Sequence, residues 1–436
     1  MQSPDHFKYL AGWEVDSTKD LPEGFTTWEV PATSYAVLQC NDVADIDRVL
    51  SYFYGQWSQV SPDWESAGGY MAECYLASYP EDHQIYLHLP VKPRQAPRQA
   101  IEGRLVLEGV PRIGFHRHLS PTPGSVYALL EYLGETPAYD YLMGASGAAF
   151  RRACEKMDGG NIDLMRYGMA PFKRLFEALA FDYTITGWQS RQAVLDVIKT
   201  SLAAGRPALA FGIVGPPECG LVTGYLRDGE ALIGWSYFQE PDSPGYYEQS
   251  DWFEQAPKQE AAVMTLGARV PRPAPREVVA SSLKWAVELA RMPVLPDHPD
   301  HSAGLSAYEA WAAGLEADED FPAGNDEALA YRVMIHGDQC VMLAERRNAA
   351  GFLRWAAEVL PEVETELLAA ADLYHQAADD CAGLWPWGMD MDDPVIKRDL
   401  VNREFRLSLA AHIRAISLKE AEAVALLEQA LTRLKG

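Results

Sequence analysis

At 436 residues the chain has room for two or three domains, and its 48% hydrophobic and 11% aromatic content is ample for large cores. The formal net charge of −25, with no lysine- or arginine-rich arm, argues against nucleic acid as a partner, because phosphate-backbone affinity comes from counterions released at basic clusters. No apolar run reaches the roughly 20 residues that span a bilayer, so no membrane partner is expected.

The opening MQSPDHFKYLAGW lacks a basic segment followed by an apolar one, so no signal peptide is expected. The six cysteines are scattered without a CxxC pair, which suits reduced thiols in a cytoplasmic protein. Residues 1–92 read as α+β. SYAVLQC is a strand ending near Cys40, and ADIDRVLSYFYGQW spaces Ile46, Val49, Leu50, Phe53 and Trp57 as one helix face. YMAECYLASY and HQIYLHLPV form an expected antiparallel pair, with Ile85, Leu87 and Leu89 on one face and Tyr86 and His88 on the other. Aromatic residues crowd this stretch: Tyr54, Trp57, Trp64, Tyr70, Tyr75, Tyr79 and Tyr86, with Glu73 among them. They have two readings, an ordinary sheet-face core or the wall of a groove for planar or cationic compounds.

The pieces LAGWEV, LPEGFTTWEVPATSYAVL, YFYGQW and YLHLPVK, in that order, resemble the GyrI-like small-molecule-binding domain, also called the AraC-type effector-binding domain. The resemblance implies an aromatic-walled groove with a carboxylate, and ligand contacts from Tyr54, Trp57, Glu73, Tyr75 and Tyr86. The family's usual acid falls at Tyr86, and Glu73 is the nearest alternative. The complete family domain has two β-α-β-β repeats, and only the second is recognisable here. Such a half-module needs a cover for its open face or edge, either a homodimer partner or intramolecular docking of the middle domain.

VKPRQAPRQA (residues 91–100) and RVPRPAPRE (269–277) read as stiff extended connectors. IEGR follows the first at residues 101–104 and would be easily nicked. The expected division is a ligand-binding module at 1–92, a linker at 93–104, an α+β domain at 105–290 and a helical bundle at 291–436. In the middle part, LVLEGVPRIGF reads as a strand, and helices are expected at 124–133, in YDYLMGASGAAFRRACE and in MAPFKRLFEALA. CGLVTGYLRDGEALIGW reads as a hairpin turned at Asp228–Gly229. In GASGAAF, Ser146 has Ala148 where a nucleophile elbow needs glycine, so it reads as a helix N-cap. His116 and His118, and His298 and His301, are spaced as metal-ligand pairs but lack a third ligand nearby, so neither a metal nor a cofactor is expected.

SPTPGSVYALLEYLG resembles the nucleophile-bearing helix of papain-like cysteine-peptidase folds, and GPPECGLVTGYLRDGEALIGW resembles their base-bearing strand pair. With Gly144, Ser146, Gly147, Ala149 and Phe150 fitting a GxSGxAF-type segment, residues 105–290 resemble the BtrH-like N-terminal domain. The resemblance places Pro121 at the nucleophile position, Glu218 at or beside the histidine, and the orienting partner near Trp235. No catalytic residue is therefore assigned, because proline is neither thiolate nor base. Ser120, Pro121, Glu218 and Cys219 would line a vestigial cleft. In the tail, one helix is expected around Leu305–Leu315, then three running Asp326–Leu360, Pro361–Leu384 and Val395–Leu434. The expectation is a cytoplasmic binder that senses or sequesters an amphipathic aromatic or cationic metabolite. The alternatives are a hydrolase or acyltransferase acting on such a metabolite, and a biosynthetic accessory protein.

Overall fold

The computed structural model describes residues 34–40, 42–57, 61, 64–67, 71–75, 84–93, 103–155, 163–240, 243, 245–256, 262–388, 391 and 393–434. The fold is mixed α+β, with several antiparallel sheets and a C-terminal helical region. The chain divides into two compact units, residues 1–49 with 64–93, and residues 50–63 with 94–436. Among the described residues no helix is long and apolar enough to cross a membrane.

In the first unit, β1 (Ser34–Cys40), β2 (Trp64–Ser66) and β3 (Ala72–Tyr75) all pair antiparallel with β4 (Ile85–Pro93). β2 and β3 lie along the same edge of β4, in the order of one interrupted strand, so the sheet is in effect three strands wide with β4 in the middle. Alternation along β4 sends Ile85, Leu87 and Leu89 to one buried face, joined by Cys40 across from Ile85. Helix α1 (Ile46–Tyr52) continues as a π-helical turn at Phe53–Trp57, where Phe53 stacks on Trp57 with ring centres 5.2 Å apart. The segment Leu50–Asp63 belongs to the second unit, where the Tyr52 hydroxyl donates to the Gly134 carbonyl.

The second unit is built on a seven-stranded antiparallel sheet. Its strands are β5 (Leu105–Val106), β7 (Phe181–Gly187), β8 (Ala208–Phe211), β9 (Cys219–Leu226), β10 (Ala231–Trp235), β11 (Tyr247–Gln249) and β12 (Ala262–Arg269). The spatial order is β11-β10-β9-β8-β12-β7, with β5 extending the sheet beside β9. A smaller sheet joins β6 (Ala153–Cys154) to β13 (Val294–Leu295) and β14 (His298–Ala303). LVLEGVPRIGF yields only the two-residue β5, since the chain turns at Glu108 and Gly109, where Gly109 takes φ 81°. The hairpin β9–β10 turns through Arg227, Asp228 and Gly229, all at positive φ.

Helix α2 (Pro121–Tyr132) is buried along nearly its whole first half, from Pro121 to Val126. Pro121 sits in its first turn, where a missing N–H costs nothing. Gly124 allows a close approach, because a Cβ there would collide with the Tyr237 hydroxyl. Helix α3 (Tyr139–Ser146) corrects the reading of Ser146: it ends this helix rather than starting one. Gly147, at φ 86°, supplies the left-handed cap that terminates it, and the Ser146 hydroxyl donates back to the Leu142 carbonyl at 2.7 Å. Helices α4 (Ala170–Ala178) and α5 (Arg191–Ala203) flank the sheet, the short α6 (Trp252–Gln255) precedes β12, and α7 (Pro275–Arg291) leads to the helical region.

That region holds α8 (Ser306–Glu316), α9 (Asp326–Ala344), α10 (Arg346–Val359), α11 (Glu364–Leu384), α12 (Pro394–Val401) and α13 (Arg403–Arg433). Two of the expected continuous helices are broken, one at Glu345 and one at Asn402, whose side chain caps α13 by accepting from the Glu404 N–H. One apolar cluster runs from Leu107 through Leu209 and Leu283 to Leu353 and Ala430. A second joins Cys154 to residues of the helical region from Ala307 to Ile416.

Candidate functional site

Two places in the chain concentrate chemistry. The first is the sheet of the first unit. Residues directly opposite in an antiparallel ladder share a face. Glu73 lies opposite Leu87 and Tyr75 opposite Ile85, so both stand on the face of the buried Ile85, Leu87 and Leu89. The Tyr75 hydroxyl donates to Glu73 at 2.7 Å, fixing the carboxylate beside an aromatic ring that is 43% exposed. Tyr86 pairs with Cys74 and Gln39 on the opposite face, and its hydroxyl donates to the Gln84 amide oxygen at 3.1 Å. The register therefore brings Glu73 and Tyr75 together and separates them from Tyr86. Tyr54 and Trp57 lie in the segment that belongs to the second unit. Tyr70 and Tyr79 lie outside the described residues, as does LAGWEV.

The second place surrounds the start of α2. Asp163 is fully buried, and it accepts from the Thr122 hydroxyl, from the Leu164 N–H at 2.6 Å and from the Cys219 N–H at 2.7 Å. These bonds tie α2 to the first residue of β9, and the Ser125 hydroxyl adds a bond to the Cys219 carbonyl. Of the four expected cleft residues, Ser120, Pro121 and Cys219 are buried. Arg151 reaches the Ser120 hydroxyl at 3.3 Å and Glu345 at 2.6 Å. Burial and the nearby Asp163 raise the Cys219 thiol well above its ordinary range, so it is a neutral thiol in this setting. Burial, then Asp163, pushes the Glu218 carboxyl up to about 9, and its Oε2 has no hydrogen-bond partner. Trp235 donates its indole N–H to the Val110 carbonyl and orients no base.

Sequence reasoning missed Arg151, Asp163 and Glu345. Nothing in their local spacing announces them, since each has side-chain or backbone partners 31 to 194 residues away. Beside them, Arg117, His118, Tyr139, Ala344, Glu345 and Asn348 line a cavity of about 180 Å³. His118 stacks on Tyr139 at 3.9 Å between ring centres, and burial lowers its imidazole to about 4, so the ring is neutral near pH 7. His298 and His301 lie 5.6 Å apart by ring centres. Among the described residues no group of three or more metal-ligating side chains is gathered.

Against known proteins, no curated protein matches the chain. Residues 2–91 match the family model described as Cass2, integron-associated effector binding protein. The match spans about the first fifth of the chain and supports a GyrI-like effector-binding part there, which points to small-molecule binding in general.

Proposed function

We propose that the chain is a cytoplasmic small-molecule-binding protein that senses or sequesters an amphipathic aromatic or cationic compound such as an antibiotic or secondary metabolite. The observation that carries this reading is the Glu73–Tyr75 pair, a carboxylate held beside an exposed ring inside the segment that matches an effector-binding family. An aromatic face and a carboxylate together attract a planar cation by quadrupole and by charge. The proposed site is this pair alone, since Tyr86 lies on the other face of the sheet and Tyr54 and Trp57 belong to the second unit. The half-module keeps its sheet covered by a second copy or by docking within the chain. The test is calorimetric titration of the full chain with a planar cationic dye. Glu73→Gln is expected to weaken binding on the order of tenfold with an unchanged melting temperature, as for loss of a charged hydrogen-bond acceptor. Equal affinity in wild type and Glu73→Gln would return these aromatics to an ordinary sheet face.

A second reading, a hydrolase or acyltransferase acting on such a metabolite, draws on Glu218. In this reading the region 105–290 is a papain-like, BtrH-like domain whose nucleophile position holds Pro121. A carboxyl held protonated to about pH 9 with one free oxygen is a competent general acid. Turnover of the bound compound, lost in Glu218→Gln, would favour the enzyme over the binder.

A further inference from the structure

Two of the cysteines meet in the helical region. Cys340 lies on α9 and Cys381 near the end of α11, and the Cys340 thiol donates to the Cys381 sulfur. The Cys381 thiol in turn donates to the Cys340 carbonyl at 3.3 Å. The contact is held from both sides. One turn before Cys340, His336 accepts from the Trp311 indole at Nδ1, so its Nε2 donates to the Leu384 carbonyl at 2.9 Å. At the start of α10, Arg347 donates to Asp379 at 2.9 Å. Positions 336, 340 and 347 thus meet 384, 381 and 379. Rising numbers meet falling ones, and the register is fixed on each side of the two sulfurs.

The two thiols differ in access and ionisation. Cys340 is 5% exposed, whereas Cys381 is only half-buried. The bond from Cys340 lowers the Cys381 thiol most, burial opposes it, and the guanidinium groups of Arg152 and Arg347 lower it further. Burial raises the Cys340 thiol well above its ordinary range, so it keeps its proton. We propose that Cys340 and Cys381 are a redox-active dithiol that a peroxide closes to a disulfide, Cys381 attacking first and Cys340 resolving. In the first step the Cys381 sulfur bonds one peroxide oxygen, the O–O bond breaks, and the other oxygen leaves as water with the thiol proton. In the second the Cys340 sulfur attacks the sulfenic sulfur, the S–O bond breaks, and a second water leaves with the Cys340 proton. Two thiols are oxidised by two electrons and the peroxide is reduced to two waters. Because the thiols already touch, closure needs side-chain rotation and little backbone movement. The new bond closes a loop whose ends lie 41 residues apart and fastens α11 to α9. Gln339, beside Cys340, donates to the Ala153 carbonyl at 2.7 Å and accepts from Arg152 at 2.8 Å, so the cross-link tightens the helix that carries this contact.

The experiment treats the full chain with a slight molar excess of hydrogen peroxide, blocks the remaining thiols with iodoacetamide and digests it without reductant. Mass spectrometry is expected to find one dominant linked pair, through Cys340 and Cys381, which dithiothreitol separates. The same treatment in urea is expected to spread the linkages over other cysteine pairs. In Cys340→Ser the sulfenic acid has no resolving thiol, so dimedone is expected to label Cys381. In Cys381→Ser the oxidant is expected to leave Cys340 a thiol. The oxidised wild type is expected to melt above the reduced chain, a shift absent from Cys381→Ser. The wild-type digest carries the test if the serine variants misfold. No linked pair in the folded wild type, linkage of either residue to Cys154 in its place, the same spread of pairs folded and unfolded, or dimedone on Cys340 in Cys381→Ser would each overturn the proposal.

Discussion

Cys219 and Cys381 differ in the environment of their sulfur. Cys219 begins β9 with its backbone N–H bonded to Asp163, and burial beside that carboxylate raises its thiol. Cys381, half-buried on α11, is lowered, chiefly by its hydrogen bond with Cys340. Thiolate fraction sets the rate of alkylation. Brief maleimide treatment of the folded chain at pH 7, read by peptide mass spectrometry, is therefore expected to modify Cys381 first and to leave Cys219 intact until denaturant is added. Early modification of Cys219 would reveal an activated thiol where the local physics gives an inert one. The sequence drew attention to Pro121 and Glu218, whose chain neighbours Thr122 and Cys219 both bond to Asp163. It did not point to Asp163 itself, because a carboxylate in an unremarkable loop shows its value only when three donors close around it.

The elements were legible wherever periodicity was local. Ser34–Cys40, the pairing of β3 with β4 and the β9–β10 hairpin all follow from alternation and turn residues. The break between α9 and α10 was invisible, because apolar spacing continues through Glu345 and Arg346 while their partners sit far off in sequence. Arg346 is fully buried and binds Glu420, which also accepts from the Tyr308 hydroxyl. Its Nη1 further donates to the carbonyls of Ala149 and Arg151, which pins α10 to the segment after α3. Removing one partner of such a pair strands a buried charge. Arg346→Met is expected to cost about 3–5 kcal/mol in chemical denaturation. The double variant Arg346→Met, Glu420→Gln, which keeps an acceptor for Tyr308, is expected to recover most of that loss. A double variant as unstable as the single one would show that the carbonyl bonds, and not the charge pair, hold the junction.

At the scale of the whole molecule, three groups, the buried His336 and the half-buried Glu218 and His118, shape the dependence of stability on pH. Glu218 is raised to about 9, so the folded state holds a proton that the unfolded chain releases above about 4.5. Its contribution is fully present below 4.5 and is lost as pH rises toward 9. His118 and His336 are both lowered to about 4, so their contribution is present above 6.5 and is lost as pH falls through 4. Between 4.5 and 6.5 the two histidines outweigh the one carboxyl, and above 6.5 only Glu218 acts, so these groups set a maximum near pH 6.5. Thermal melts from pH 5 to 9 are expected to show a falling melting temperature above neutrality, and Glu218→Gln is expected to flatten that limb. A limb equally steep in the variant would place the titration elsewhere. A different consequence follows from the path of the chain between its two units. Residues 50–63 are counted with the second unit while the strands on either side belong to the first, so the polypeptide crosses over at Leu50, returns at Trp64 and leaves again after Pro93. A recombination event that exchanged residues 1–92 as a cassette would also carry off fourteen residues of the host fold.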